Sequence, residues 1–212
     1  MREFLKNFVQ LAVNHMQFPE PIFEFGALQV KGQGGFADLR PLFQGKKYIG
    51  CDMREGIGVD RVLNLHHIEL PDESVGSVIS LDTLEHVEYP HRAMEEIHRV
   101  LKPGGIVLIS SVMKFPIHNF PFDYWRFTPE GFRSVLKPFE SSFVGIAGEE
   151  SFPHTVVGIG FKGSSQLPKI WPSEFSQWQF KVFELCQDSL PKRLIRLLIP
   201  PIFLKMRRSL LG

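Results

Sequence analysis

The most constraining feature of the chain is a junction near its middle. His91 to Gly105 reads HRAMEEIHRVLKPGG, and IVLISSV follows at once. Ala93, Met94, Ile97, Val100 and Leu101 recur at spacings of three and four, the period of a helix with one apolar face. Lys102 stands at its end, where a cation complements the helix dipole. Pro103, Gly104 and Gly105 then stop the helix. Ile106 to Val112 is a continuous apolar run, the mark of a strand buried on both faces. Such a strand needs helices on both sides of its sheet, which directs the chain to a layered α/β fold.

The rest of the sequence fits that frame. Pro21 to Gly26 reads as a short buried strand ending in glycine. Phe36, Leu39, Leu42 and Phe43 have helical spacing, and Pro41 keeps that helix short or kinked. Lys47 to Asp52 is a second strand ending in an acid. The connection after it, REGIGVD, is too short for a full crossover helix and reads as a loop or single turn. RVLNL and SVGSVISLD are a third and a fourth strand. Thr128, Pro129 and Glu130 form a helix start, with Phe132, Val135, Leu136 and Phe139 as its buried stripe. SFVGIAGEE and HTVVGIGFKG close the pattern as an antiparallel pair. The expectation is a three-layer α/β sheet that binds ligands at the C-terminal ends of its strands.

The chain of 212 residues suits one such domain with an appendage. Residues 1–163 are expected to form the domain, with an N-terminal amphipathic helix over 1–16 carrying Phe4, Phe8, Leu11 and Ala12. Residues 164–212 form a C-terminal extension. Pro191 to Gly212 holds six cations and no acid, against a net charge of +1 for the whole chain, so charge is segregated. That segment fits either a packed appendage or dimer interface with solvated cations, or peripheral contact with an anionic membrane. The global charge implies no nucleic-acid partner. Cys51 and Cys186 form no ligand-spaced pair, and a reducing, cytoplasmic setting is expected. The eight histidines contain no HExxH, so no metal site is expected. No run of 18 apolar residues predicts a membrane span.

A nucleotide-like cofactor on this sheet needs a glycine ending the first strand and an acid ending the second. Gly26 and Asp52 meet those needs, and Asn64 follows the third strand as a reader of the base. With Pro71-Asp72, Leu84-Glu85-His86 and Leu101-Lys102-Pro103-Gly104-Gly105, the stretch from Pro21 to Gly163 resembles the class I S-adenosylmethionine-dependent methyltransferases. HNFPFDYWRFTPEGFRSVL looks like a segment found after strand five in a subset of them. The resemblance implies a Rossmann-like methyltransferase fold: a mostly parallel seven-stranded sheet with an antiparallel last strand, plus the C-terminal helical appendage. It implies S-adenosylmethionine as cofactor. Glu24, Gly26 and Ala27 would lie near the methionine moiety and Asp52 at the ribose. Asn64 and Leu65 would meet the adenine, and Leu81 and Asp82 the sulfonium. The family's loop carries further glycines where this chain has Leu28 and Val30. Gly32, Gly34 and Gly35 suggest that a longer loop moves the turn.

Methyl transfer needs mainly alignment of donor and nucleophile, since the sulfonium is already activated. An oxygen or nitrogen acceptor benefits from a base, for which His86, His118 and Asp123 are the candidates. Tyr124 and Arg126 stand beside them as substrate-binding candidates. Asp123 and Arg126 equally fit a surface ion pair, with Tyr124 packed. The expected function is methyl transfer to a small-molecule or glycan-type acceptor. The alternative is a non-catalytic member of the fold serving as a binding or scaffold subunit. A nicotinamide dehydrogenase would need Gly-x-Gly-x-x-Gly at the first strand end, which is absent.

Overall fold

A computed structural model describes residues 3–29, 37–118 and 121–186. The glycines at 32, 34 and 35 and the basic segment 191–212 lie outside the described residues. The element order is α1 (Glu3–His15), β1 (Ile22–Phe25), a 3-10 turn (Arg40–Phe43), β2 (Tyr48–Asp52), β3 (Arg61–Val62) and β4 (Val75–Leu81). A 3-10 turn (Leu84–His86), α2 (Pro90–Val100), β5 (Leu101–Val112), α3 (Pro129–Val135), β6 (Ser141–Glu149), β7 (Phe152–Phe161) and α4 (Trp171–Cys186) follow.

The strands form one seven-stranded sheet in the order β3-β2-β1-β4-β5-β7-β6. The pairs from β3 to β5 are parallel, and β7 runs antiparallel to both β5 and β6. The first strands therefore end along one edge. That edge is the expected ligand edge of an open α/β sheet.

The period of two along each strand divides the core into two layers. Val107 and Ile109 of β5 join Phe23 and Phe25 of β1 under α2 and α3, where Ala93, Met94, Ile97 and Phe132 pack. Ile106 and Leu108 face the other way, with Ile22 and Ile79, against Leu5, Phe8 and Val9 of α1 and Trp171, Phe175 and Trp178 of α4. Each large side chain fully buried in this way contributes about 1.5–3 kcal/mol of transfer free energy. All seven residues of β4 are buried, as a central parallel strand requires.

Several local readings shift by a residue or more. The α1 stripe is Leu5, Phe8, Val9 and Ala12, so Phe4 and Leu11 are only partly buried at its margins. Helix α2 ends at Val100. Leu101 is already extended, at φ −68° and ψ 137°. The β4–β5 register jumps from Val75↔Leu101 to Ser77↔Ile106, which loops out Lys102 to Gly105 as a bulge. Lys102 thus lies beyond the helix, and its Nζ donates to the Glu20 carbonyl at 3.0 Å. Asp72 has a similar structural task. It binds Arg99 Nη1 at 2.6 Å, while Arg99 also donates to the carbonyls of Ile68 and Leu70 and anchors their loop to α2. Thr128 caps α3 as expected, accepting from the Gly131 N–H at 3.1 Å. The helix ends at Val135, but Leu136 and Phe139 remain buried. Strand β3 covers only Arg61–Val62, and Asn64 instead makes an isolated bridge with His67.

Candidate active site

The sheet's ligand edge carries a cavity of about 600 Å³. That volume is in the range that encloses a ligand of nucleoside size. Its floor begins at β1. Gly26 turns the chain at φ +85°, and a Cβ there would stand 2.1 Å from Thr83 Oγ1. The Thr83 hydroxyl donates to the Leu81 carbonyl at 3.0 Å and lies 3.4 Å from that of Phe25, which ties the ends of β4 and β1 together. The N–H groups of Gly26 and Ala27 both donate to the Cys51 carbonyl, at 2.9 and 3.0 Å.

The loop after β1 and the loop after β2 are stitched into one wall. Gln29 N–H donates to the Ile57 carbonyl at 2.9 Å. Gly58, at φ +92°, passes so close that a Cβ would meet the Ala27 carbonyl oxygen at 2.4 Å. Arg40 Nη2 donates to the Gly58 carbonyl at 3.0 Å and to Asp60 at 2.7 Å, and Asp60 also accepts from the Gly50 N–H. The short connection after Asp52 is therefore a loop, as its length predicted, and it buttresses the first loop.

Glu24 is buried at the base of this wall, with Tyr48 Oη donating to its Oε2 at 2.7 Å. Burial pushes its pKa up to about 7, against the opposing effects of the Tyr48 hydrogen bond and of Arg40. Asp52 ends β2, accepting from the Arg54 N–H at 3.1 Å through Oδ1. The Asn64 side-chain carbonyl, expected to read a base, accepts from the His66 N–H at 2.9 Å within its own turn. Beyond β4, Asp82 sits at φ +48°, with its N–H bound to the carbonyl and hydroxyl of Ser110.

The other side of the cavity is built by the 3-10 turn and the segment after β5. Glu85 is fully buried and accepts from Ser111 Oγ at 2.6 Å. Its backbone carbonyl accepts from the N–H groups of Tyr124 and Trp125, and Trp125 Nε1 donates to the Val87 carbonyl at 2.9 Å. These bonds pin the segment to the turn. His86 Nδ1 lies 2.5 Å from the Phe122 carbonyl, and burial lowers the pKa of its ring.

The cavity thus brings together Glu24, Gly26, Ala27, Asp52, Asn64 and Leu65 with Leu81, Asp82, His86, His118 and Tyr124. Asp123 and Arg126 are not among the residues lining it. The Asp123 side chain is 1% exposed and accepts from Arg126 Nη1 at 2.5 Å, Nη2 at 2.6 Å and the His118 N–H at 2.8 Å. Arg126 holds its carboxyl well below the usual range. A carboxylate so engaged is a clamp on the His118 segment, and its geometry does not suit a base. Arg126 completes that clamp by donating to the carbonyls of Phe115 and Pro116.

Sequence reasoning passed over Tyr48, Arg40, Asp60 and Thr83. Each acts through a partner 18 or more positions away. Gly50 was the available signal for one of them. It pairs beside Glu24 in the β1–β2 register, and a Cβ there would meet the Gly58 carbonyl at 2.1 Å.

Residues 33–109 match the family model described as a methyltransferase domain. A stretch of 65 residues is 35% identical to a probable S-adenosylmethionine-dependent methyltransferase of Mycolicibacterium smegmatis (strain ATCC 700084 / mc(2)155). That stretch is 31% of this chain and only 23% of the relative's length. Among solved structures, an S-adenosylmethionine-dependent methyltransferase of Thermotoga maritima superposes with a TM-score of 0.53 at 21% identity, covering 76% of this chain and all of that one. One from Archaeoglobus fulgidus gives 0.56 at 15% identity, over 76% and 95%. A Burkholderia thailandensis 1,6-didemethyltoxoflavin-N1-methyltransferase with bound S-adenosylhomocysteine gives 0.56 at 15% identity, over 75% and 76%.

Residues 33–109 thus match a methyltransferase-domain family, and the sheet order is the Rossmann-like fold of these S-adenosylmethionine-dependent methyltransferase structures. The cofactor of that family is S-adenosylmethionine, and the cavity fits it on three counts. Its volume is sufficient. A glycine-lined turn admits close backbone approach. Carboxylates stand at the ends of β2 and β4.

Proposed function

We propose that the chain transfers the methyl group of S-adenosylmethionine to a small-molecule or glycan-type acceptor. The observation that carries this reading is the convergence of Gly26, Asp52 and Asp82, from three separate strand ends, on one cavity that also holds two histidines. Asp52 would accept from the ribose hydroxyls, and Glu24 would meet the charged ammonium of the methionine end. Leu65 would present backbone N–H to the adenine. The bound cofactor supplies an electrophilic methyl group. The chain's own residues align the acceptor in line with it and exclude water.

His86 and His118 face the acceptor side. Each holds its Nδ1 near a carbonyl oxygen, so each keeps a lone pair on Nε2. Asp123 and Arg126 position His118 and make no contact with the acceptor in this reading. Exposed Phe115, Phe122 and Tyr124 rim the cavity, which favours an acceptor with one flat apolar face, such as an aromatic ring or a sugar.

Calorimetry with S-adenosylhomocysteine on the wild type and on Asp52→Ala tests the proposal. Tenfold weaker binding in the variant, about 1.4 kcal/mol, is expected. Absence of binding in both proteins removes the enzyme reading and leaves the scaffold role.

A further inference from the structure

The donors on the acceptor side form a set with its own chemistry. Glu85, His86 and His118 bring one ligand atom each to within 4.8 Å of the others. The sequence separates His118 from the other two by more than 30 positions, which is why no ligand spacing was visible there.

Both imidazoles are held in one tautomer. His86 Nδ1 is 2.5 Å from the Phe122 carbonyl, and His118 Nδ1 is 3.2 Å from the Pro116 carbonyl and 3.3 Å from the Asp123 carboxylate. A carbonyl oxygen only accepts, so each Nδ1 carries the proton and each Nε2 presents a lone pair. Metal-ligating histidines are fixed in this way, with the second ring nitrogen donating to a carbonyl or carboxylate. The rings meet edge to face with centroids 4.8 Å apart. Glu85 is oriented from behind by Ser111 Oγ.

Hydrogen bonds hold the groups around the set. Asp123 and Arg126 tie Phe115, Pro116 and His118 together through five of them, and Tyr124 and Trp125 are fastened to Glu85 and Val87. Donors on one ion at about 2.1 Å stand roughly 3–4 Å apart. The present spread therefore closes by about an ångström of side-chain rotation. His118, with a side chain 34% exposed, has the room for it.

We propose that Glu85, His86 and His118 bind one divalent transition-metal cation, for which two imidazoles and a carboxylate suit Zn²⁺, and that its remaining coordination position takes a hydroxyl oxygen of the acceptor. Mg²⁺ demands an oxygen shell and is disfavoured by this donor set. The acceptor half of the proposal rests on the methyl-transfer reading; the metal half does not.

The test uses the full chain stripped with a chelator and dialysed, without cofactor. Calorimetric titration with Zn²⁺ is expected to show one ion per chain, weakened at least tenfold in His86→Asn and in His118→Asn, with no Mg²⁺ binding at the same concentrations. Far-UV circular dichroism checks the fold of each variant. A second measurement needs no variant: Zn²⁺ should protect His86 and His118 from diethyl pyrocarbonate, read by peptide mass spectrometry. Lack of a stoichiometric Zn²⁺ site, binding undiminished in both variants, or unprotected His86 and His118 overturns the proposal. S-adenosylhomocysteine titrated into the same stripped protein reports the cofactor site separately, so the two readings fail independently.

Discussion

Glu24 offers a prediction that can be worked from the structure. The residue is 7% exposed, and burial moves its pKa from 4.5 to about 7. At 1.36 kcal/mol per pH unit, that displacement is worth about 3 kcal/mol. The folded protein holds this proton more tightly than the unfolded chain does. The associated stability is fully present below pH 4.5 and is lost as the pH rises through about 7. Glutamine remains neutral throughout, and its side-chain oxygen still accepts from Tyr48 Oη. The free energy of unfolding of Glu24→Gln minus that of the wild type should therefore grow by about 3 kcal/mol between pH 4.5 and pH 8. Urea titrations at several pH values, at constant ionic strength, measure it. Subtracting the two proteins cancels the other titrating groups. A difference that stays flat, or shrinks as pH rises, refutes the account of Glu24 as a carboxyl kept neutral by burial.

Three other outcomes follow from the same wall of the cavity and its clamp. Gly26→Ala places a Cβ 2.1 Å from Thr83 Oγ1 at a φ of +85°, and should lower stability by roughly 2–4 kcal/mol from backbone strain and overpacking, read by urea titration. Glu24 opposite a cofactor ammonium should lose its proton on binding. S-adenosylhomocysteine titrations at pH 6 should then show a buffer-dependent enthalpy that Glu24→Gln abolishes. Arg126→Ala leaves the Asp123 carboxylate without its charged partner and should cost roughly 2–4 kcal/mol at pH 7. In the wild type that stability is present above the ordinary Asp value of 3.8 and is lost as pH falls below it, so the two proteins should converge in acid.

The features legible in the sequence are those carried by neighbours along the chain. The Thr128 cap, the succession of an amphipathic helix and a buried strand between residues 91 and 112, and the short loop after Asp52 are each set within a few residues by propensity and periodicity, although the helix ends earlier, at Val100, than Pro103 to Gly105 suggested. What escaped is set by register between distant strands. Glu24 and Tyr48 meet because β1 and β2 pair in parallel with Ile22 against Tyr48, and nothing local announces it. His86 and His118 meet because β4 and β5 are adjacent and deliver their C-terminal segments to the same edge.

The division also explains what the most recognisable motif residues do. Asp72 and Lys102 hold loops around β4 and β5 through Arg99 and the Glu20 carbonyl, away from the cavity. The bulge from Lys102 to Gly105 sets the register that carries Ser110 under Asp82 and Ser111 under Glu85. A motif that is easy to read from local order therefore acts on the site only indirectly, by fixing where β5 lies. The residues that differ most in chemistry, Glu85, His86 and His118, gain their meaning from that placement.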